Sequence, residues 1–529
     1  MNALLDTLSN RYTIDGPFSI VEFWSSPSAE LYRTVHRLRQ ESFAANHRIV
    51  FTCFDELDDH RIREFLIKLQ KCLTFVDISN CFVLIVSNRP WINEYLNEVK
   101  NQWAGATEQH TIEHEFYDVP TAPVDFDFSA ILNPPDTICA QPWISLDVST
   151  SGRLRPCCYF EGNIKQEDGS DYHINDHSLE QVYNSKYMKD LRQRFVQGDR
   201  PKACGMCWTD ERNGSKSKRM LLKHRFIPYS YDANWEQDDI RNLKFVSVQA
   251  GNICNLKCRI CSPGNSSKIA EEQLRQIPLQ ERKTHEVYKK LVSGRWVEDT
   301  KVWNKLTDSD INIEYFDFAG GEPMLQLQHF SALEKIIDQD RAPRVQLHYN
   351  TNGTIFPSQH AELWKKFKMV NISLSIDNIQ DRFEVERSGM GWSVLQTNLD
   401  KFFSLRSHNI KISLNLSVNI QNVLYLPEIC NWIESQSFDS VHFNHVYDPE
   451  IFYIGNVTAT AQSKILERLD AYVCDNSVLQ SFVNTSAEIV RFADLSNGIE
   501  FCKYMKHLDN LRNQDFSQTH REIASAMGY

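Results

Sequence analysis

The residues best able to do chemistry are cysteines, of which the 529-residue chain has fourteen. Their spacing separates them. Cys53, Cys72, Cys81, Cys430, Cys474 and Cys502 stand alone in apolar surroundings and read as small buried hydrophobes. Cys254, Cys258 and Cys261 crowd into eight residues as CxxxCxxC, and upstream run Cys139-x12-Gly152-x4-Cys157 and Cys204-x2-Cys207. Thiolates are soft ligands for iron–sulfur clusters or zinc. Three of them on a four-iron cluster leave one iron open, whereas a structural zinc closes four positions and would need a remote fourth ligand here. Four thiolates suit either a fully ligated cluster or a zinc ribbon, and spacing alone leaves both open.

The elements that position these residues fall into distinct stretches. Residues 1–125 alternate β-rich runs (FSIVEFW, RIVFTC, CFVLIV) with helical spacing over Ser28–Ala44 and Asp58–Leu73, which predicts a small α/β domain. It carries no phosphate-binding glycine motif. Four prolines in Val119–Pro135 mark a linker. Residues 126–235 read as a loop-rich cysteine module with a strand near Trp143–Val148, a turn at Ser149–Gly152 and a helix over Leu179–Val196. The six Lys and Arg of Arg212–Arg225 read as a solvated face. Over 236–450 the rhythm becomes regular: strands at Phe245–Gln249, Tyr315–Phe318, Val345–Tyr349, Val370–Ile376, Ile412–Val418 and Val441–Val446, with amphipathic stretches between them. Six β/α units predict a partial TIM-like barrel, whose chemistry gathers at the C-terminal strand ends. Residues 451–529 read as a helical tail, with amphipathic runs at Ser463–Val473 and Val478–Phe492.

Composition bounds the class. Nineteen Gly and eighteen Pro exclude collagen-like and Gly/Pro-rich disordered chains. A net charge of −12 argues against general nucleic-acid coating. No apolar run approaches the ~18 residues of a membrane span, and the first residues lack a signal-peptide core, so a cytoplasmic protein is expected.

Further polar motifs close the strands in order. The second ends in Asp317-Phe-Ala-Gly320-Gly321-Glu322-Pro323 and the third in Asn350-Thr-Asn352-Gly353. The fourth reads Ser373-Leu-Ser375-Ile-Asp377, and the fifth Leu416-Ser-Val418-Asn419. With CxxxCxxC after the first strand, this series resembles the radical S-adenosylmethionine (SAM) superfamily over about residues 240–450. The resemblance implies a [4Fe-4S] cluster on Cys254, Cys258 and Cys261. It implies that Gly320, Gly321, Glu322 and Pro323 meet the SAM amino group, that Asn352 of the third turn also binds the cofactor, and that Ser375 and Asp377 bind the ribose. Asn419 would line the nucleoside. Ile260 departs from the aromatic residue many members place near adenine. Arg387 is similar to an arginine found after the fourth strand.

The upstream pattern is similar to the SPASM and Twitch auxiliary-cluster modules, with the single further CxxC favouring the shorter Twitch type. Those modules usually follow the barrel, and here the pattern precedes it. The resemblance implies an auxiliary [4Fe-4S] cluster on Cys139, Cys157, Cys204 and Cys207, with Cys158 either spare or a substitute for Cys157.

The implied reaction is reductive cleavage of SAM to a 5′-deoxyadenosyl radical that abstracts a substrate hydrogen, for oxidation or cross-linking of a peptide or protein side chain. The alternatives are radical oxidation or rearrangement of a small molecule such as a sugar or aminocyclitol, and a non-catalytic iron–sulfur or zinc protein. An electron donor of the flavodoxin or ferredoxin kind is the expected partner. No catalytic base is assigned: Asp317, Glu384, Glu386 and His445 are all candidates on position.

Overall fold

The computed structural model describes strands at Phe18–Trp24 (β1), His47–Cys53 (β2), Cys81–Val86 (β3) and Ile112–Glu115 (β4), and then residues 137–212, 217–220, 240–496 and 498–529. The chain divides into two compact units, Met1–Ser129 and Ala130–Tyr529.

In the first unit the strands form one parallel sheet in the order β1-β2-β3-β4. The three runs read as strands in the sequence are three of these. The fourth, IEHE, is too short and polar to stand out. The helices expected at Ser28–Ala44 and Asp58–Leu73 lie outside the described residues.

The second unit is built on one eight-stranded sheet. Ser145–Val148 (β5) and Leu154–Arg155 (β6) come first, followed by Phe245–Gln249 (β7). Lys257–Cys258 (β8) lies outside this sheet, which continues with Tyr315–Ala319 (β9), Gln346–Thr351 (β10) and Met369–Ser375 (β11). Arg387–Ser388 (β12) pairs only with β8, and Ile410–Val418 (β13) and Ser440–His445 (β14) complete the large sheet. The order β14-β13-β11-β10-β9-β7-β5-β6 places the six expected strands side by side in chain order, all parallel, as a partial TIM-like barrel. The cysteine module extends that sheet: β5 lies parallel beside β7, and β6 closes the edge as an antiparallel hairpin through the Ser149–Gly152 turn.

Strand faces follow the period of two. On β10, Leu347, Tyr349 and Thr351 are buried in the core, while Gln346, His348 and Asn350 are half-buried on the other face. The polar face repeats across the sheet. Ser247 stands beside Asp317, which stands beside His348, and Ser373 stands beside Ser413, which stands beside Ser440. This concave side is polar rather than packed with branched apolar side chains, which leaves it suited to a ligand.

Three sequence expectations are corrected. The helix expected over Leu179–Val196 is two, Leu179–Tyr183 and Lys186–Val196, because Ser185 caps the second through the Met188 N–H. The strand expected near Trp143–Val148 begins only at Ser145. Residues Gln141–Ile144 form a helical turn and β5 is buried on both faces, as a strand inside a covered parallel sheet must be. Of the described residues of the basic run, Arg212 is exposed as expected but the next two cations are not on a solvated face. Lys218 is half-buried, and Arg219 is buried against Glu211. The tail is helical as expected, at Ala459–Asp470 and Ser477–Arg491, and continues through Ile499–Arg512, Phe516–Thr519 and Arg521–Met527.

Candidate functional site

The three-cysteine loop leaves the C-terminal end of β7. Gly251 has φ +64 and starts the turn; Cys254 is buried, and Cys258 and Cys261 are half-buried. The thiols are close enough to raise one another's pKa. Burial is the larger cause, pushing Cys254 up to about 11 and Cys258 further in the same direction. A buried neutral thiol becomes a ligand when its proton is released to solvent and the metal cation takes its place on sulfur, so binding iron there relieves the cost of burying charge. Among the described residues no three His, Cys, Asp or Glu side chains converge as they would around one metal ion. A four-iron cube spreads its thiolates over separate corners, and a short loop carrying three soft donors fits that group.

The Gly320–Pro323 turn lies directly on this loop. Gly321 N donates to Gly251 O at 2.9 Å and Glu322 N to Ile253 O at 2.8 Å. A Cβ on Gly320 would stand 2.6 Å from Ala250 N, and one on Gly321 would stand 2.3 Å from Ile253 O. The glycines are thus required by the approach of two backbones within the protein. Glu322 is buried, and burial pushes its carboxyl up despite three bonds that favour the charged form. Oε1 accepts from Thr351 Oγ1 at 2.6 Å and Met324 N at 3.0 Å, and Oε2 accepts from Asn352 N at 2.8 Å. The carboxylate therefore ties the ends of β9 and β10 together. Pro323 is buried and opens the turn that follows. Asn352 donates through Nδ2 to Asn255 Oδ1 at 2.9 Å and reaches Cys254 Sγ at 4.0 Å.

The fourth strand end joins the loop from the other side. Asp377 Oδ2 accepts from Arg387 Nε at 2.9 Å and Nη2 at 2.7 Å, and its Oδ1 accepts from Ser417 N at 2.9 Å. Arg387 pairs across the β8–β12 ribbon with Cys258, and its guanidinium lowers the pKa of all three loop thiols. Arg387, which the sequence marked only by resemblance, is thus the cation beside the cysteines, and Asp377 is its counter-ion. Asn419 is buried with its amide spent locally: Oδ1 accepts from Gln421 N at 2.9 Å, and Nδ2 donates to Ser417 O at 3.2 Å. Ser375 is half-buried at the end of β11, and Ile260 packs partly buried against the core.

The upstream cysteines lie within electrostatic reach of one another. Cys139 feels Cys204 and Cys207, and Cys157 feels Cys139; burial pushes Cys139 and Cys204 up to about 12. Gly152 belongs to the hairpin turn at φ +78, where a Cβ would meet the His173 ring at 2.6 Å. Cys158 departs from the other four. Its thiol accepts from Lys218 Nζ and feels Asp147 and Asp317, so it is turned toward the sheet.

Of the base candidates, three serve packing. Glu384 accepts from Trp392 N at 2.7 Å. Glu386 pairs with buried His520 at 2.9 Å. His445 bonds Ser486 at 3.0 Å, and burial pushes it down to about 4. Asp317 sits on the polar face, with His348 Nδ1 at 2.8 Å from its Oδ1 and His348 Nε2 at 3.1 Å from Ser373 Oγ. His348 escaped the sequence reading. Its signal was a polar residue every second position on β10.

Comparison with known families agrees with this arrangement. The radical SAM superfamily matches residues 248–423, and an iron-sulfur cluster-binding domain, SPASM, matches residues 139–208. The chain therefore carries a radical SAM domain, with its [4Fe-4S] cluster and SAM, preceded by a SPASM domain that binds an auxiliary iron–sulfur cluster.

Among curated proteins it is 24% identical over 176 residues to GTP 3′,8-cyclase of Desulforamulus reducens, covering 33% of this chain and 47% of that protein. It is 24% identical over 129 residues to Fe-coproporphyrin III synthase of Methanosarcina barkeri, covering 24% and 31%. The chain thus spans less than half the length of these relatives. Among solved structures it is 16% identical to native anSMEcpe with bound AdoMet, covering 42% of this chain and 58% of that one at a TM-score of 0.29. The same protein with AdoMet and the Cp18Cys peptide gives 16% identity, 46% and 61% coverage, and a TM-score of 0.29. No described helix is long and apolar enough to cross a membrane.

Proposed function

We propose that this protein is a radical SAM enzyme that oxidises or cross-links a peptide or protein side chain. One observation carries the reading. Three thiols at the end of the first barrel strand are held against a Gly-Gly-Glu-Pro turn by backbone bonds of 2.9 and 2.8 Å. Cys254, Cys258 and Cys261 would hold the cluster and leave one iron for SAM; Cys139, Cys157, Cys204 and Cys207 would hold the auxiliary one. When bound, the cluster and SAM would supply the radical chemistry able to take a substrate hydrogen atom. The protein's part is position and exclusion of water.

Glu322, Asp377 and Asn419 shape the SAM pocket through the neighbours they bind, with Ser375 and Asn352 beside them. Arg387 places a fixed cation at the thiolates. Oxidation after hydrogen-atom loss also releases one electron and one proton. A cluster held by the SPASM thiols would give the electron an exit, and the Asp317–His348–Ser373 chain would accept the proton. In domain terms, residues 126–235 serve the auxiliary cluster, 236–450 the radical chemistry and 451–529 its support; residues 1–125 have no assigned task.

A second reading is favoured by the polar concave face, where Ser247, Asp317, His348 and Ser373 would suit a hydroxyl-rich small molecule such as a sugar or aminocyclitol. Deuterated peptides and sugars, scored by label transfer into 5′-deoxyadenosine, separate the two. The broader reading is tested on anaerobically reconstituted, dithionite-reduced protein with SAM. Wild type should form 5′-deoxyadenosine, whereas Cys258→Ala should form none and bind roughly four fewer irons per chain. No 5′-deoxyadenosine from wild type overturns the proposal.

A further inference from the structure

The cysteine motif contains a charged residue with no place in thiol chemistry. Arg259 follows Cys258 directly, and its side chain is 0% exposed. Burying a guanidinium is costly unless a partner is buried with it, and the partner comes from the far end of the chain. Arg259 Nη2 pairs with Asp509 Oδ1 and also donates to Gln514 Oε1 at 3.1 Å. Its Nε donates to Val385 O at 3.1 Å.

The tail grips the other strand of the same ribbon. Ser388 Oγ, one residue beyond Arg387, donates to the same Gln514 Oε1 at 3.0 Å. One amide oxygen therefore bridges the residue after Cys258 and the residue after Arg387. On the two flanks, Arg512 Nη1 donates to Lys257 O at 2.8 Å, and His520 pairs with Glu386, whose carbonyl accepts Arg259 N at 2.8 Å. Asp509 is itself held, its Oδ2 accepting from Phe516 N at 2.7 Å and from the Tyr529 hydroxyl. The helix Ile499–Arg512 and Gln514 just after it thus grip a ribbon of two two-residue strands that carries a cluster ligand and its neighbouring cation, with His520 fastening Glu386 beside it. The radical SAM match ends at residue 423 and does not include these tail residues.

We propose that residues 499–529 form a clasp that sets the shape of the cysteine loop, with Asp509 and Gln514 as positioning residues for Cys258. Losing the clasp frees Arg259 to turn toward water and draws Cys258 and Cys261, its near neighbours in sequence, out of register with Cys254. The cluster at this loop belongs to the function proposed above; the clasp on the metal-free loop can be measured without it.

The test uses the full-length, metal-free protein under anaerobic conditions, with iodoacetamide as the probe and peptide mass spectrometry to read each cysteine. Asp509→Asn strands a buried guanidinium and can unfold the chain, so Gln514→Ala is the primary variant and Asp509→Glu the conservative control. Gln514→Ala removes an acceptor from a charged donor, so Cys258 and Cys261 should alkylate roughly ten-fold faster. Cys139 and Cys204 should keep their wild-type rates. Asp509→Glu should stay nearer to wild type. Unchanged rates at Cys258, or equal acceleration of every cysteine, overturn the clasp.

In reconstituted protein, Gln514→Ala should lose the SAM-responsive paramagnetic signal to a chelator faster than it loses the auxiliary signal. Equal loss of both signals counts against the clasp. A wild type that takes up no iron at this loop overturns the proposed function, and the alkylation rates still decide the clasp.

Discussion

Arg387 offers the sharpest test of how the barrel holds its cysteine loop. Its side chain is 10% exposed, that of Asp377 is 3% exposed, and two bonds of 2.9 and 2.7 Å join them. Hydrogen bonds to charged groups contribute about 1.5–3 kcal/mol each, and breaking a buried pair costs about 3–5 kcal/mol. Arg387→Met keeps much of the volume and drops the charge, leaving the buried Asp377 carboxylate its bond from the Ser417 N–H but no cation. We expect it to destabilise the metal-free protein by about 3–5 kcal/mol, and Asp377→Asn by a similar amount. The double variant buries no lone charge and should cost about 2–3 kcal/mol less than the sum of the singles. Urea unfolding followed by tryptophan fluorescence reads all four proteins. Arg387→Met should also weaken iron binding at the loop, since the guanidinium favours the thiolates. Single costs below about 1 kcal/mol, or additivity within about 0.5 kcal/mol, would refute the pair as the link between loop and barrel.

Gly321→Ala puts a methyl 2.3 Å from Ile253 O, so the turn must leave the loop. We expect a loss of about 3 kcal/mol or more and no SAM cleavage. Gly264→Ala, whose nearest contact is 3.7 Å, should change stability by under about 0.5 kcal/mol on the same urea curves, and equal effects would be wrong for this packing. Cys204→Ala should bind about four fewer irons per chain yet retain most 5′-deoxyadenosine formation; parallel loss of both would mean the two thiol sets are not separate. His445 is neutral when folded, because burial lowers its pKa to about 4. The unfolded chain takes up a proton below about 6.5, so stability present above that pH falls as pH drops toward 4, by up to about 3 kcal/mol. His445→Gln should flatten that part of the stability–pH curve, and an unchanged slope would count against the assignment.

The six barrel strands were legible because period-two burial is written locally, residue by residue, as on β10 and β13. The two cysteine groups were legible for a similar reason, since ligand type and short spacing need no knowledge of distant partners. The role of each polar residue was not legible. Glu322 and Asp377 look from the sequence like free carboxylates facing a ligand. In the fold, one is spent on Thr351, Met324 and Asn352, and the other on Arg387 and Ser417.

By itself the sequence determined the soft-donor set, the order of strand-end motifs and the parallel β/α architecture, all consequences of short-range spacing and backbone period. Only the tertiary structure decided that Arg259 pairs with Asp509 and that Lys218 turns inward to Cys158. It alone placed β5 of the SPASM segment beside β7 of the barrel. Burial and charge pairing depend on which distant segments share a low-dielectric space, and chain-neighbour patterns carry no record of that.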